Sequence, residues 1–221
     1  MRDFPTRRIS PTTFATRSTI DSGDSGVHRK LTDLIGRSAT LAHVEPPSNL
    51  EFYKRYKPDE QKWLEEIGAV FAREPGEPMP DFAQFPPELM EYVAFPGTFF
   101  DVTPLHLLST SSLAFMKTRN PEADWDIRRF RPNILVDTGS KASGLAENAW
   151  IGKSLKIGTV VVQCPAPTPR CGMTTREQPG LRFDKTMLRT IVKEAEQNLG
   201  VYGVVGQPGD IKVGDDVELI D

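Results

Sequence analysis

Residues 98–221 restrict the fold most, because short strand-like runs alternate there with turns. Residues 154–157 and 158–164 read as a strand pair, since both are apolar and β-branched and a turn divides them. One amphipathic helix interrupts the strands, predicted over 184–199 with Asp184 as its N-cap. Many short strands with one long helix predict a mainly β fold with added helices, a barrel or a sandwich.

The first 97 residues are less regular. Residues 1–27 mix small and charged side chains without periodicity, which predicts a flexible segment. Residues 28–97 contain two helix patterns, at 28–35 and 59–71, followed by a loop rich in proline and phenylalanine. We therefore divide the chain into a flexible segment, a partial region over 28–97 and a main domain over 98–221.

Composition and motifs argue against several classes of function. The net charge of −3 gives no electrostatic case for nucleic-acid binding, and no apolar run approaches the ~20 residues that cross a bilayer. Cys164 and Cys171 lack zinc or iron–sulfur spacing, and His28, His43 and His106 share no metal spacing. The chain has no P-loop, dinucleotide fingerprint or nucleophile elbow. We expect a cytoplasmic protein with two free thiols.

Cys171 follows two prolines and an arginine. Pro167 and Pro169 fix φ and remove two backbone donors, so residues 167–175 are expected to form an extended loop. Arg170 places a permanent positive charge beside the thiol, which favours the thiolate. A thiolate is a nucleophile or a soft metal ligand. The alternative is a small buried hydrophobe at the end of a strand.

Residues 109–112 are four consecutive hydroxyl residues at a predicted helix start. Hydroxyls such as those of Ser109 and Ser111, together with free N–H groups, favour an anion such as phosphate. Simple N-capping is the alternative, and it needs only one of these hydroxyls.

A basic run lies within residues 127–136, which we predict to be a strand. In an alternating strand Arg129, Arg131 and Asn133 share one face. Arg131 and Asn133 could then address one ligand, with the guanidinium clamping an anion and the amide reading a heterocycle edge. The alternative is a solvated basic edge strand that discourages aggregation.

Taken together, these motifs resemble the MOSC domain family, named for the C-terminal domain of molybdenum cofactor sulfurases. Each motif alone is weak, but they occur in family order over about residues 98–221. The matching segments are FRPNILV (130–136), ENAWIGK (147–153), PTPRC (167–171) with MTT (173–175), LGVY (199–202) and VGD (213–215).

The resemblance implies a MOSC-type β-barrel with a partial N-terminal barrel-like region, binding the molybdenum cofactor. It implies that Cys171 is the protein ligand to molybdenum, with contacts to pterin and phosphate from Arg170, Arg131, Asn133, Ser109 and Ser111. Members with related function, including the mitochondrial amidoxime reducing component, reduce N-hydroxylated compounds. The implied activity is therefore that of a molybdenum-dependent oxidoreductase that reduces an N–O bond with electrons from a separate reductase.

The chain departs from the family at two points. The opening strand, with its phosphate-binding lysine and serine, is not visible before residue 28. Gly172 follows the cysteine where relatives often have a larger apolar residue, which is expected to loosen the loop. Two alternatives therefore stay open: a non-catalytic carrier of sulfur or cofactor on Cys171, or a degenerate barrel with an inert cysteine.

Overall fold

The computed structural model describes residues 12–13, 19–55, 62–82, 86–140 and 142–221. The chain divides into two compact units, 1–46 and 47–221. No helix among the described residues is long and apolar enough to cross a membrane.

The described residues of the first unit form two short strands and one helix. Strand β1 (Thr12–Thr13) pairs antiparallel with β2 (Thr19–Ile20), and α1 covers Val27–Ile35. The helix predicted at 28–35 is confirmed. It ends at Gly36, whose φ of +74° is the left-handed conformation that glycine adopts without strain.

The described residues at the start of the second unit form three helices. They are α2 (Leu50–Tyr53), α3 (Lys62–Phe71) and α4 (Glu88–Glu91). The helix predicted at 59–71 is confirmed from Lys62 onward, and its first three positions lie outside the described residues. Among the described residues of 47–97, extended pairing is limited to one antiparallel bridge between Lys54 and Tyr92.

A seven-stranded mixed sheet forms the centre of the second unit. Its strands are β3 (Leu105–Ser109), β4 (Ile134–Val136), β5 (Ser154–Ile157), β6 (Val160–Gln163), β7 (Pro167–Pro169), β8 (Asn198–Gln207) and β9 (Val217–Ile220). The order is β4-β3-β8-β6-β5-β9, and β7 pairs with β8. Strands β3 and β4 are parallel and the other pairs antiparallel. The sheet curls into a half-barrel with helices added, which confirms the predicted fold class.

Strand β3 separates two hydrophobic cores. Successive side chains point to opposite faces of a strand, so Leu107 packs with Val162 and Val201 between the strands. Leu108 packs instead against helices α5 (Thr110–Arg119) and α6 (Lys185–Glu194). Each fully buried leucine contributes about 2–3 kcal/mol, so both faces hold β3 in place.

The helix predicted over 184–199 is correct at its start and too long at its end. The Asp184 side chain accepts a hydrogen bond from the Thr186 N–H at 2.9 Å, as predicted for the N-cap. Helix α6 ends at Glu194, however, because Glu196 and Gln197 take left-handed φ values of +47° and +65° and reverse the chain. Residues 198 and 199, which the helical pattern included, belong instead to strand β8.

Candidate functional site

Cys171 lies between β7 and a 3-10 helix over Gly172–Thr175. The first three residues of the loop expected over 167–175 instead form a short strand that pairs with β8. Cys171 has an extended backbone, with φ −108° and ψ 179°, and its thiol is free and partly exposed. Its carbonyl accepts hydrogen bonds from the N–H and hydroxyl of Thr174, at 3.3 and 3.0 Å. The cysteine is thus held by its backbone, while its sulfur forms no disulfide within the part of the chain that the structure describes.

Arg170 is a partly buried cation that its neighbours satisfy incompletely. One guanidinium nitrogen donates to the Phe130 carbonyl at 3.1 Å, and the group lies 5.6 Å from the centre of the Phe130 ring. The Nε–H is buried and has no partner among the described residues. Burial lowers the pKa of Arg170, and the charge of Cys171 opposes that shift. A cation with an unused donor is suited to an anionic ligand.

His106 connects Arg170 to Asn133. Its Nε2 lies 3.4 Å from an Arg170 guanidinium nitrogen, and its backbone N–H donates to Asn133 Oδ1 at 2.8 Å. The Asn133 N–H donates back to the His106 carbonyl at 2.8 Å. Burial, and then the charge of Arg170, lower the pKa of His106 to about 3. The imidazole is therefore neutral near pH 7. Its Nε2 also lies 3.4 Å from the Leu199 carbonyl oxygen, so it accepts from Arg170 in the Nδ1–H tautomer and donates to Leu199 in the Nε2–H tautomer. We call His106, Asn133, Arg170 and Cys171 the Arg170 cluster.

The strand predicted over 127–136 is wrong for its first seven residues. A 3-10 helix covers Ile127–Arg129, Arg131 has a left-handed φ of +52°, and strand pairing begins only at Ile134. Arg131 and Asn133 are exposed and do not share a strand face with Arg129.

The hydrogen bonds of Arg129 give it a structural role. It is only 2% exposed, and its guanidinium donates to four main-chain carbonyls. Those acceptors are the carbonyls of Asp124, Thr174, Arg176 and Arg182, at 2.6 to 3.4 Å. Because these bonds reach the 3-10 helix after Cys171, Arg129 fixes the far side of the loop.

Ser109 and Ser111 belong to a different polar cluster. Ser109 accepts from the Ser112 N–H at 3.1 Å, which is the N-cap of α5. The hydroxyls of Ser109 and Ser112 donate to one carboxylate oxygen of buried Glu147, and the Gly200 N–H donates to the other at 3.1 Å. The Ser111 hydroxyl is 3.1 Å from that of Ser109. We call Ser109, Ser112, Glu147 and the Gly200 N–H the Glu147 cluster; it is bonded within the fold.

The end of α3 packs against the cysteine loop. The Arg73 guanidinium donates to the Arg170 carbonyl at 3.0 Å and to Gln197 Oε1 at 3.1 Å. A Cβ at Gly172 would lie 3.0 Å from Ala72 Cβ, so a larger residue would push this segment away. The glycine expected to loosen the loop therefore permits close packing.

The sequence patterns do not single out Arg73, and for His106 they indicate only that it shares no metal spacing with the other histidines. Arg73 contacts a residue 97 positions later, and His106 contacts one 64 positions later. Neither contact leaves a local pattern in the sequence.

A cleft of about 690 Å³ opens beside β7. Prolines provide six of its fifteen lining residues, and Tyr202 lies in its wall. Burial raises the pKa of Tyr202 to about 12, the charge of Arg170 opposes this shift, and that of Cys171 adds to it. The phenol is therefore neutral near pH 7 and within electrostatic reach of the cysteine.

Comparison with known proteins identifies relatives of this chain. It is 33% identical over 138 residues to rat mitochondrial amidoxime reducing component 2, covering 57% of this chain and 38% of the relative. It is 33% identical over 133 residues to human mitochondrial amidoxime-reducing component 1, covering 54% and 38%. The chain thus spans well under half the length of these curated relatives.

Solved structures with partial similarity include YiiM from Geobacillus stearothermophilus and YiiM from Escherichia coli. Each has a TM-score of 0.40 and 16% identity, covering 54% of this chain and 55% of the other. The profile of the MOSC domain matches residues 96–218, which is more than half of the chain. This chain therefore belongs to the MOSC domain family.

Proposed function

We propose that this chain binds the molybdenum cofactor through Cys171 and reduces N-hydroxylated small molecules. The observation that carries the proposal is the free, partly exposed Cys171 beside the unused Nε–H of Arg170, in a MOSC domain. The two curated relatives are named as amidoxime reducing components, and an amidoxime carries an N–O bond. Those names support the substrate class.

The donor set fits an anionic group that carries a soft metal. The Cys171 thiolate suits molybdenum that already has sulfur ligands, and Arg170 and Arg131 suit a phosphate. Asn133 Oδ1 is already bonded to His106, so its amide hydrogens are what it can offer a pterin edge. Ser109 could reach the group only by exchanging its bond to Glu147, and Ser111 likewise only by leaving Ser109.

When bound, the cofactor supplies two-electron redox chemistry at molybdenum. The net reaction takes R–NH–OH, two electrons and two protons to R–NH₂ and water. The electrons are proposed to come from a separate reductase, because the sequence has no iron–sulfur or flavin motif. The chain contributes the thiolate, the cations that hold the anion, and the buried surroundings of Arg170.

Metal analysis tests the proposal directly. Protein made in a cofactor-competent host should contain about one molybdenum and one pterin per chain, and should reduce benzamidoxime with a chemical electron donor. Cys171→Ala should lose turnover, while the buried Cys164→Ala serves as the matched control and should keep it. Wild-type protein with neither metal nor pterin would contradict the proposal. A persulfide on Cys171 without turnover would instead favour the carrier alternative.

A further inference from the structure

We propose that the cleft beside β7 is the substrate pocket of this site and selects neutral or cationic, flat N-hydroxylated compounds over anionic ones. The inference rests on the proposed function and adds the location and charge preference of substrate binding.

Strand β7 connects the cleft to the cysteine. Pro167 and Pro169 line the cleft, whereas Thr168 between them is only 5% exposed, so the strand alternates between the cleft and the interior. Cys171 is two residues beyond Pro169 and has an extended backbone, so alternation places it on the cleft side of the strand, just beyond the residues that line the cleft. Tyr202 supports this independently, since it lines the cleft and interacts electrostatically with Cys171. The substrate would thus lie at the open side of the thiol.

The walls of the cleft favour a flat apolar body. Six proline rings present rigid surfaces without backbone N–H donors. Tyr202 lines the cleft and its phenol is neutral near pH 7, so the hydroxyl can form a hydrogen bond with a polar head group of the ligand. A pocket with apolar walls and a few oriented polar groups is the usual form of a small-molecule site.

The charge of the lining disfavours anions. Among the described residues that line the cleft there is no lysine, arginine or histidine. Asp101 lies close enough to raise the pKa of Tyr202. Arg170 is nearby, but its guanidinium bonds to Phe130 and contacts His106 rather than lining the cleft. An anionic substrate would lose hydration there without gaining a cation.

Two adjacent residues of β8 give a matched test. Val204 is 37% exposed and lines the cleft, whereas Val205 is 44% exposed and does not line it. Val204→Arg adds a cation to the pocket, and Val205→Arg adds the same charge outside it. Binding of benzamidoxime and of its 4-carboxylate analogue is measured by saturation-transfer NMR on protein as purified, without reductant.

We expect the wild type to bind benzamidoxime about tenfold more tightly than the carboxylate analogue. In Val204→Arg this ratio of the two affinities should be about fivefold smaller. Val205→Arg should leave the ratio unchanged. Equal binding of the two ligands by the wild type, or the same response from both arginine variants, overturns the proposal. Ala166→Trp, which fills the cleft, should abolish binding, and retained binding would likewise overturn it.

The binding and turnover measurements test the proposed pocket and the proposed reaction separately. Selective binding without turnover of benzamidoxime contradicts the proposed function and supports the pocket. Turnover whose KM responds identically to Val204→Arg and Val205→Arg supports the function and contradicts the pocket.

Discussion

The Glu147 cluster and the Arg170 cluster are both polar groups placed against β8, and they differ in how completely they are bonded. In the Glu147 cluster both carboxylate oxygens accept hydrogen bonds from within the fold. In the Arg170 cluster the arginine Nε–H is buried without a partner among the described residues. A buried polar group that is fully bonded stabilises the fold, whereas one with an unused donor is available to a ligand.

Gly200 connects the two clusters. Its N–H donates to Glu147 Oε1 at 3.1 Å, and a Cβ on it would lie only 2.1 Å from His106 Nε2. Its φ of +89° also requires glycine. The bonded cluster therefore fixes the strand against which His106 and Arg170 are placed. We therefore expect substitutions in the Glu147 cluster to reduce stability and substitutions in the Arg170 cluster to reduce ligand binding.

The largest effect is expected for Glu147→Ala. It leaves the hydroxyls of Ser109 and Ser112 and the Gly200 N–H without their acceptor, so the free energy of unfolding should fall by about 3–5 kcal/mol. Urea unfolding measures the change, with exposed Glu218→Ala as a control expected to stay within about 0.5 kcal/mol. A loss below about 1 kcal/mol for Glu147→Ala would contradict the structural role.

Arg129, which is buried, and Arg170, which is partly buried, give the next contrast. Arg129→Met leaves four carbonyls without a donor and should lower the free energy of unfolding by about 3 kcal/mol. Arg170→Met removes a cation that is incompletely bonded, so its effect on stability should stay within about 1 kcal/mol while molybdenum retention is lost. Equal stability losses in the two variants, measured by urea unfolding, would remove the distinction between the clusters.

His106 makes the Arg170 cluster sensitive to acid. Its pKa is about 3 in the fold and 6.5 unfolded, so between these values the unfolded chain binds more protons and stability falls as pH falls. Cofactor-free wild type should lose about 2 kcal/mol more than His106→Gln between pH 7 and pH 5. Unfolding free energies of both proteins at several pH values measure this difference. Parallel curves would show that the imidazole is not held neutral in the fold.

The sequence predicted those parts of the site that depend on local chemistry. The two prolines and Arg170 mark Cys171 as an unusual thiol, and the structure leaves that thiol free and partly exposed. The strand pair at 154–157 and 158–164 follows from residue type and is confirmed, with strands at 154–157 and 160–163. Such features need no knowledge of distant segments.

Other parts could not be predicted because distant segments decide them. The predicted strand that places Arg131 and Asn133 on one face begins only at Ile134, and His106 is the residue that joins Asn133 to Arg170. The helix predicted to 199 ends at 194 because pairing of β8 with β3 outweighs a helical period of apolar residues. The roles of such residues come from tertiary contacts, which the order of the chain does not reveal.

The smallest effect is expected for the two cysteines. Cys171 is partly exposed and Cys164 is buried, so single thiols show the same contrast between a group available to a ligand and a group held within the fold. Cys164 is 1% exposed, and burial raises its pKa to about 11, so at pH 8 almost none of it is thiolate. A maleimide or dithio reagent should therefore label one thiol per native chain at pH 8 and two in urea, with mass spectrometry placing the native label on Cys171. Because the folded pKa of Cys164 is the higher one, its contribution to stability is present below pH 9 and is lost as pH rises toward 11. Native labelling of both cysteines at pH 8 would mean that the sheet core opens readily, and exposure could then no longer distinguish the ligand thiol from the core thiol.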